Sequence, residues 1–146
     1  MRIPSIALLA STLLVAGNAR ALTQPQAEAV AKKYLASLPA EGASYDATKT
    51  LTADLDGDGK VEIVLLSTLM GPTYAYSQLM VFADRGKGYV HASTTDISGN
   101  VEDMTVDKGI VQIKSKMPGP NDPRCCPSLE KIYRYTLKNG KVIELK

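Results

Sequence analysis

The chain has 146 residues, enough for one domain with its own apolar core. It carries 17 Lys and Arg against 15 Asp and Glu, so no strong charge excess points to a polyanionic or polycationic partner. With no Trp, one Phe and seven Tyr, the core must be mainly aliphatic.

Residues 1–21 have the order of a secretory signal peptide. Arg2 supplies a positive start, Ile6–Ala16 is an apolar run too short to span a bilayer, and Ala19-Arg20-Ala21 gives a small-x-small cleavage pattern. Cleavage after Ala21 is expected to leave a single domain, 22–146, in the periplasm or secreted. No Cys lies near the cleavage point, no later segment has transmembrane character, and an exported destination argues against nucleic acid as partner. Removing Arg2 and Arg20 leaves 15 basic against 15 acidic residues. Residues 108–146 are nonetheless basic, with 9 basic and 3 acidic groups, which a solvated face explains.

A helix follows. Thr23 and Gln26 form a T-x-x-Q capping box, and Pro25 is tolerated in the first turn. Ala27, Val30, Ala31, Tyr34, Leu35 and Leu38 then recur at helical spacing on one face, and Pro39 stops the helix. That face predicts core packing.

Beyond residue 47 the chain reads as strands between turns. Thr48–Ala53 and Val61–Ser67 come first, the latter apolar enough for a central strand covered on both faces. Leu79–Ala83 and Tyr89–Thr94 flank a turn at Asp84–Gly88. Val101–Val106 and Ile110–Lys114 flank Asp107-Lys108-Gly109, and Leu129–Leu137 and Val142–Leu145 flank Asn139-Gly140, a strong hairpin signal. The expected fold class is α+β: an N-terminal helix packed on an antiparallel β meander of about six to eight strands.

Between the first two strands lies Asp54-Leu55-Asp56-Gly57-Asp58-Gly59-Lys60-Val61-Glu62. Carboxylates fall at relative positions 1, 3, 5 and 9, with Gly at 6 and the Lys60 carbonyl at 7. Such alternation turns oxygens toward one centre, the hard donor set that Ca²⁺ prefers; Mg²⁺ favours fewer carboxylates and more water. Position 12 is Leu65 and the flanks are strands, so this is not an EF-hand. The D-x-D-G-D-G-x-x-E pattern resembles the calcium loops of FG-GAP and VCBS repeats. That resemblance implies ligation by Asp54, Asp56, Asp58 and the ninth-position Glu62, with a structural ion. The competing reading is an acidic turn without metal.

Cys125 and Cys126 are the only cysteines and are adjacent. Neighbouring Cα atoms lie about 3.8 Å apart, below the usual disulfide range. A vicinal disulfide, two thiols and bridges to another chain therefore all remain open. The run Pro118–Ser128, with its D-P-x-C-C-P-S core, the following Tyr133-Arg134-Tyr135 strand and the Asn139-Gly140 turn, resembles the LppP/LprE-type family of bacterial exported lipoproteins. The resemblance covers about residues 70–146 and implies a bacterial envelope protein without catalytic residues to transfer. This chain lacks the family's lipobox Cys.

Met70–Ser77 reads as a stiff Pro/Gly loop carrying Tyr74 and Tyr76. Together with Arg124 these are residue types that dominate protein interfaces, although core capping also explains the tyrosines. His91 is the only His, and neither a G-x-S-x-G elbow, an H-E-x-x-H helix nor a phosphate loop occurs. A non-enzymatic, calcium-stabilised binding module of the envelope is thus the expected class, an inhibitor, immunity or adaptor protein serving an unidentified envelope protein. The alternatives are a structural envelope protein and an unrecognised hydrolase.

Overall fold

The computed structural model describes residues 21–146; the expected signal peptide falls outside them except for Ala21. Helix α1 spans Gln24–Ser37, and Thr23 caps it in both directions. The Thr23 hydroxyl accepts the Gln26 N–H at 3.4 Å, and the Gln26 side chain accepts the Thr23 N–H at 2.9 Å. Leu38 leaves the helical conformation immediately before Pro39, as a residue preceding proline tends to.

Eight strands follow: β1 Ser44–Ala53, β2 Glu62–Met70, β3 Ala75–Asp84, β4 Tyr89–Ile97, β5 Asn100–Asp107, β6 Ile110–Met117, β7 Leu129–Lys138 and β8 Lys141–Glu144. They form two four-stranded antiparallel sheets, ordered β1-β2-β3-β4 and β5-β6-β7-β8. Each strand pairs only with its sequence neighbours, so the meander is real but divided in two. The division falls at Ser98-Gly99, where the chain turns a corner between sheets instead of closing a hairpin. Gly99 adopts φ +83°, and an added Cβ would meet the Lys116 carbonyl oxygen at 2.6 Å.

Burial alternates along the central strands as a three-layer arrangement requires. Val64 and Leu66 of β2, with Leu79 and Val81 of β3, pack against Met104, Val111, Ile113, Tyr133, Tyr135 and Leu137 of the second sheet. Their neighbours Ile63, Leu65, Met80 and Phe82 point the other way, onto Ala27, Ala31 and Leu35 of α1. β2 therefore has both faces covered, which explains its continuous apolar run. The expected apolar stripe of the helix is the stripe that packs. Tyr34 also stacks on His91 at 4.7 Å between ring centres and meets Phe82 edge-on at 5.1 Å. The sole histidine is thus part of an aromatic cluster under the helix.

The second sheet turns its other face outward. There Lys114 pairs with Glu130 at 2.9 Å and with Glu102 at 3.7 Å, while Lys116 reaches Glu102 at 3.7 Å. Two of the nine basic residues of 108–146 are thereby matched across strands. Lys49 of β1 meets Asp103 of β5 at 2.7 Å, tying the two sheets along one edge.

Candidate functional site

Strand direction sorts the connections to two ends of the molecule. The β1–β2 loop and the β3–β4, β5–β6 and β7–β8 turns share one end. The β2–β3 turn, the Ser98-Gly99 corner and the long β6–β7 loop share the other.

The acidic loop occupies the first end. Asp54 organises it: Oδ1 accepts the Gly57 N–H at 2.7 Å and Oδ2 the Gly59 N–H at 2.9 Å. Asp56 Oδ1 accepts from Asp58 N–H at 3.0 Å, and Asp58 Oδ1 from Lys60 N–H at 2.7 Å. Gly59 takes φ +84°, in the left-handed region that a side chain disfavours, and this lets the chain fold back over the carboxylates. One oxygen each from Asp54, Asp56 and Asp58 then lies within 4.8 Å of the others.

Glu62, the fourth carboxylate of the motif, is not a member of this close group. It is 2% exposed, and its Oε2 accepts the Leu55 N–H at 2.7 Å. Burial raises its pKa against the lowering effect of that bond, and the charges of Asp56, Asp58 and Asp54 raise it further. Burial first, and the neighbouring aspartates after it, thus disfavour the charged form of Glu62. Leu55 itself is buried in the inter-sheet core, and its carbonyl accepts the Thr136 hydroxyl at 2.8 Å. The alternation that turns the aspartates outward thus turns Leu55 inward as the loop's anchor. Leu55 escaped the sequence reading, although its place as the lone large apolar residue between two aspartates was a usable signal.

At the opposite end, the turn is shorter than the sequence suggested. β2 runs through Met70 and β3 begins at Ala75, so Tyr76 belongs to a strand and pairs with Leu69, while Tyr74 remains in the turn. The ladder persists because Leu69, Met70, Ala75 and Tyr76 suit a paired strand as well as a loop. Tyr74 and Tyr76 stack at 5.2 Å between ring centres and are 42% and 57% exposed, beside Met70 at 45%. The Tyr74 ring also covers Gly71, where any Cβ would collide with it. The pair forms an exposed aromatic platform.

The β6–β7 loop carries Arg124, Cys125 and Cys126, all exposed. The two sulfurs are in bonding contact. Asp122 holds the loop: Oδ2 accepts the N–H groups of Gly119 at 2.6 Å and Ser128 at 2.7 Å, and Oδ1 accepts the Ser128 hydroxyl at 2.8 Å. These bonds, that from Gly119 foremost, lower the Asp122 pKa.

With this geometry in place, comparison with known proteins finds no matching family model, no similar curated protein and no similar solved structure. Among the described residues, no helix is long and apolar enough to cross a membrane.

Proposed function

We propose that the protein is an exported, calcium-stabilised protein-binding module of the bacterial envelope, an inhibitor, immunity or adaptor protein by class. The observation that carries this reading is the exposed Tyr74–Tyr76 platform, at the end of the sandwich that also bears Arg124. Stacked tyrosines present rigid amphipathic area that loses little entropy on docking, and Arg adds a planar charged anchor.

The acidic loop takes a supporting role. Its three converging aspartates fit a hard divalent cation, and the buried Glu62 behind them makes neutralisation favourable. A bound Ca²⁺ would supply positive charge that holds the loop closed. The chain's own residues do the rest: Asp54 shapes the turn, and Leu55 transmits its position to both sheets. β2 is nine residues long, so the loop and the platform lie about 30 Å apart. The ion therefore acts on the scaffold and not on the partner.

Two measurements test these halves separately. Ca²⁺ at millimolar concentration should raise the melting temperature of metal-free protein, since extracellular sites bind with Kd of about 10⁻⁴–10⁻³ M. Asp58→Ala should remove that rise, and an unchanged wild-type melting curve refutes the metal. For the platform, a partner captured from envelope extract and then purified should lose about 30-fold or more in affinity to Tyr74→Ala/Tyr76→Ala. Equal affinity of the folded variant refutes the surface.

A further inference from the structure

The β6–β7 loop holds a second feature that neither the metal nor the aromatic platform uses. Cys125 and Cys126 are both exposed, with Cα atoms 3.8 Å apart, whereas disulfide-linked residues usually lie 4.4–6.8 Å apart. Their bond closes a ring of eight atoms within two residues, so it constrains almost no chain. The loop's shape comes from elsewhere. Asp122 receives three hydrogen bonds from Gly119 and Ser128, the Asp122 N–H donates to the Gly119 carbonyl at 3.2 Å, and the Cys126 N–H donates to the Pro123 carbonyl at 3.0 Å. None of these passes through sulfur. The sequence has no third Cys, so opening the bond cannot lead to reshuffling.

We infer that Cys125–Cys126 is a thiol–disulfide exchange site whose reaction partner is a dithiol. A thiolate of the dithiol attacks one exposed sulfur, the Cys125–Cys126 bond breaks, and a mixed disulfide forms while the other cysteine leaves as thiolate and takes a proton from water. The second thiolate of the dithiol then attacks the mixed disulfide. The chain is left with two thiols and the dithiol becomes a disulfide, a transfer of two electrons and two protons. Arg124, exposed and next in sequence, favours the departing thiolate. The reverse reaction restores the ring, since the loop keeps both sulfurs together.

This inference shares Arg124 with the docking reading but rests neither on that reading nor on calcium, and its test reads thiols. Intact folded protein, purified without reductant, is treated at neutral pH without denaturant. One arm uses dithiothreitol, the other a Cys-x-x-Cys protein lacking its resolving cysteine, and free thiols are trapped with iodoacetamide before intact-mass measurement. The expected result is two carbamidomethyl groups per chain in the first arm, a one-to-one covalent adduct in the second, and an unchanged melting temperature on reduction. Arg124→Glu should slow the first arm, and Cys125→Ser/Cys126→Ser should melt with the wild type and gain no label. Thiols already free before treatment, reduction that requires denaturant, or no adduct with the Cys-x-x-Cys protein overturns the assignment.

Discussion

At the scale of single residues, one buried and one half-buried group set clear expectations. Ser67 is fully buried in β2, and among the described residues neither its hydroxyl nor the Oε1 of Gln78, its cross-strand neighbour, has a hydrogen-bond partner. A buried polar atom without a partner costs its lost hydration. Ser67→Ala should therefore stabilise the protein by about 1 kcal/mol in chemical denaturation. A loss of that size would mean that the hydroxyl is bonded in solution. His91 gives a pH dependence. Burial against Tyr34 and Phe82 lowers its pKa below the usual 6.5, with a bond at the Ser93 backbone acting the other way. Between the folded value and 6.5 the unfolded chain binds more protons than the folded one, so stability rises with pH. This contribution is complete above pH 6.5 and is lost as pH falls through the folded pKa. Melting temperature followed from pH 7.5 to 5 should decline, and His91→Phe, which keeps an aromatic ring under the helix, should flatten that decline.

At the scale of elements, α1 was the most legible part of the sequence. Its cap, its stripe and its end are local, and each was visible in residues within one or two turns of where it acts. Thr23→Ala removes the cap oxygen and should cost about 1 kcal/mol, measured by urea denaturation. No measurable loss would show that Gln26 and water replace the hydroxyl. The strands were legible as alternating or continuous apolar runs, but their ends were not. β1 begins at Ser44 and β3 at Ala75, both earlier than the sequence suggested, because the residues there are paired without being buried. Hydrophobic pattern reports burial, whereas a strand's extent follows its hydrogen bonds. The partition into two sheets was hidden for a related reason. The link from Ile97 to Asn100 has the residues of an ordinary turn, and only the faces that Val64 and Met104 share show that it is a corner.

At the scale of the whole molecule, Leu55 connects the parts. It is a loop residue, yet it is 4% exposed and packed in the core between the sheets. Leu55→Ala should cost about 2–5 kcal/mol of global stability, a core-sized penalty from a turn position. It should also weaken the rise in melting temperature proposed for Ca²⁺, because the aspartates on either side lose their common anchor. A loss below about 0.5 kcal/mol, the range of surface changes, would place Leu55 outside the cooperative core. Of the candidate site, the aspartates were legible from spacing alone. Their separation from the tyrosines was legible only in outline, since the apolar run that joins the two loops marks β2 but not its end at Met70.

Strictly sequential pairing has a consequence for the chain as it is made. The first sheet needs nothing beyond Ile97 to complete its hydrogen bonds, and α1 is already available to cover one of its faces. Its other face, with Val64, Leu66, Leu79, Val81 and Ile97, is finished by residues that appear only later in the chain. A nascent or truncated product ending near residue 97 would thus hold a complete ladder with one greasy side open, the kind of surface on which chains aggregate. The second half of the sequence is, in that sense, the first half's own chaperone.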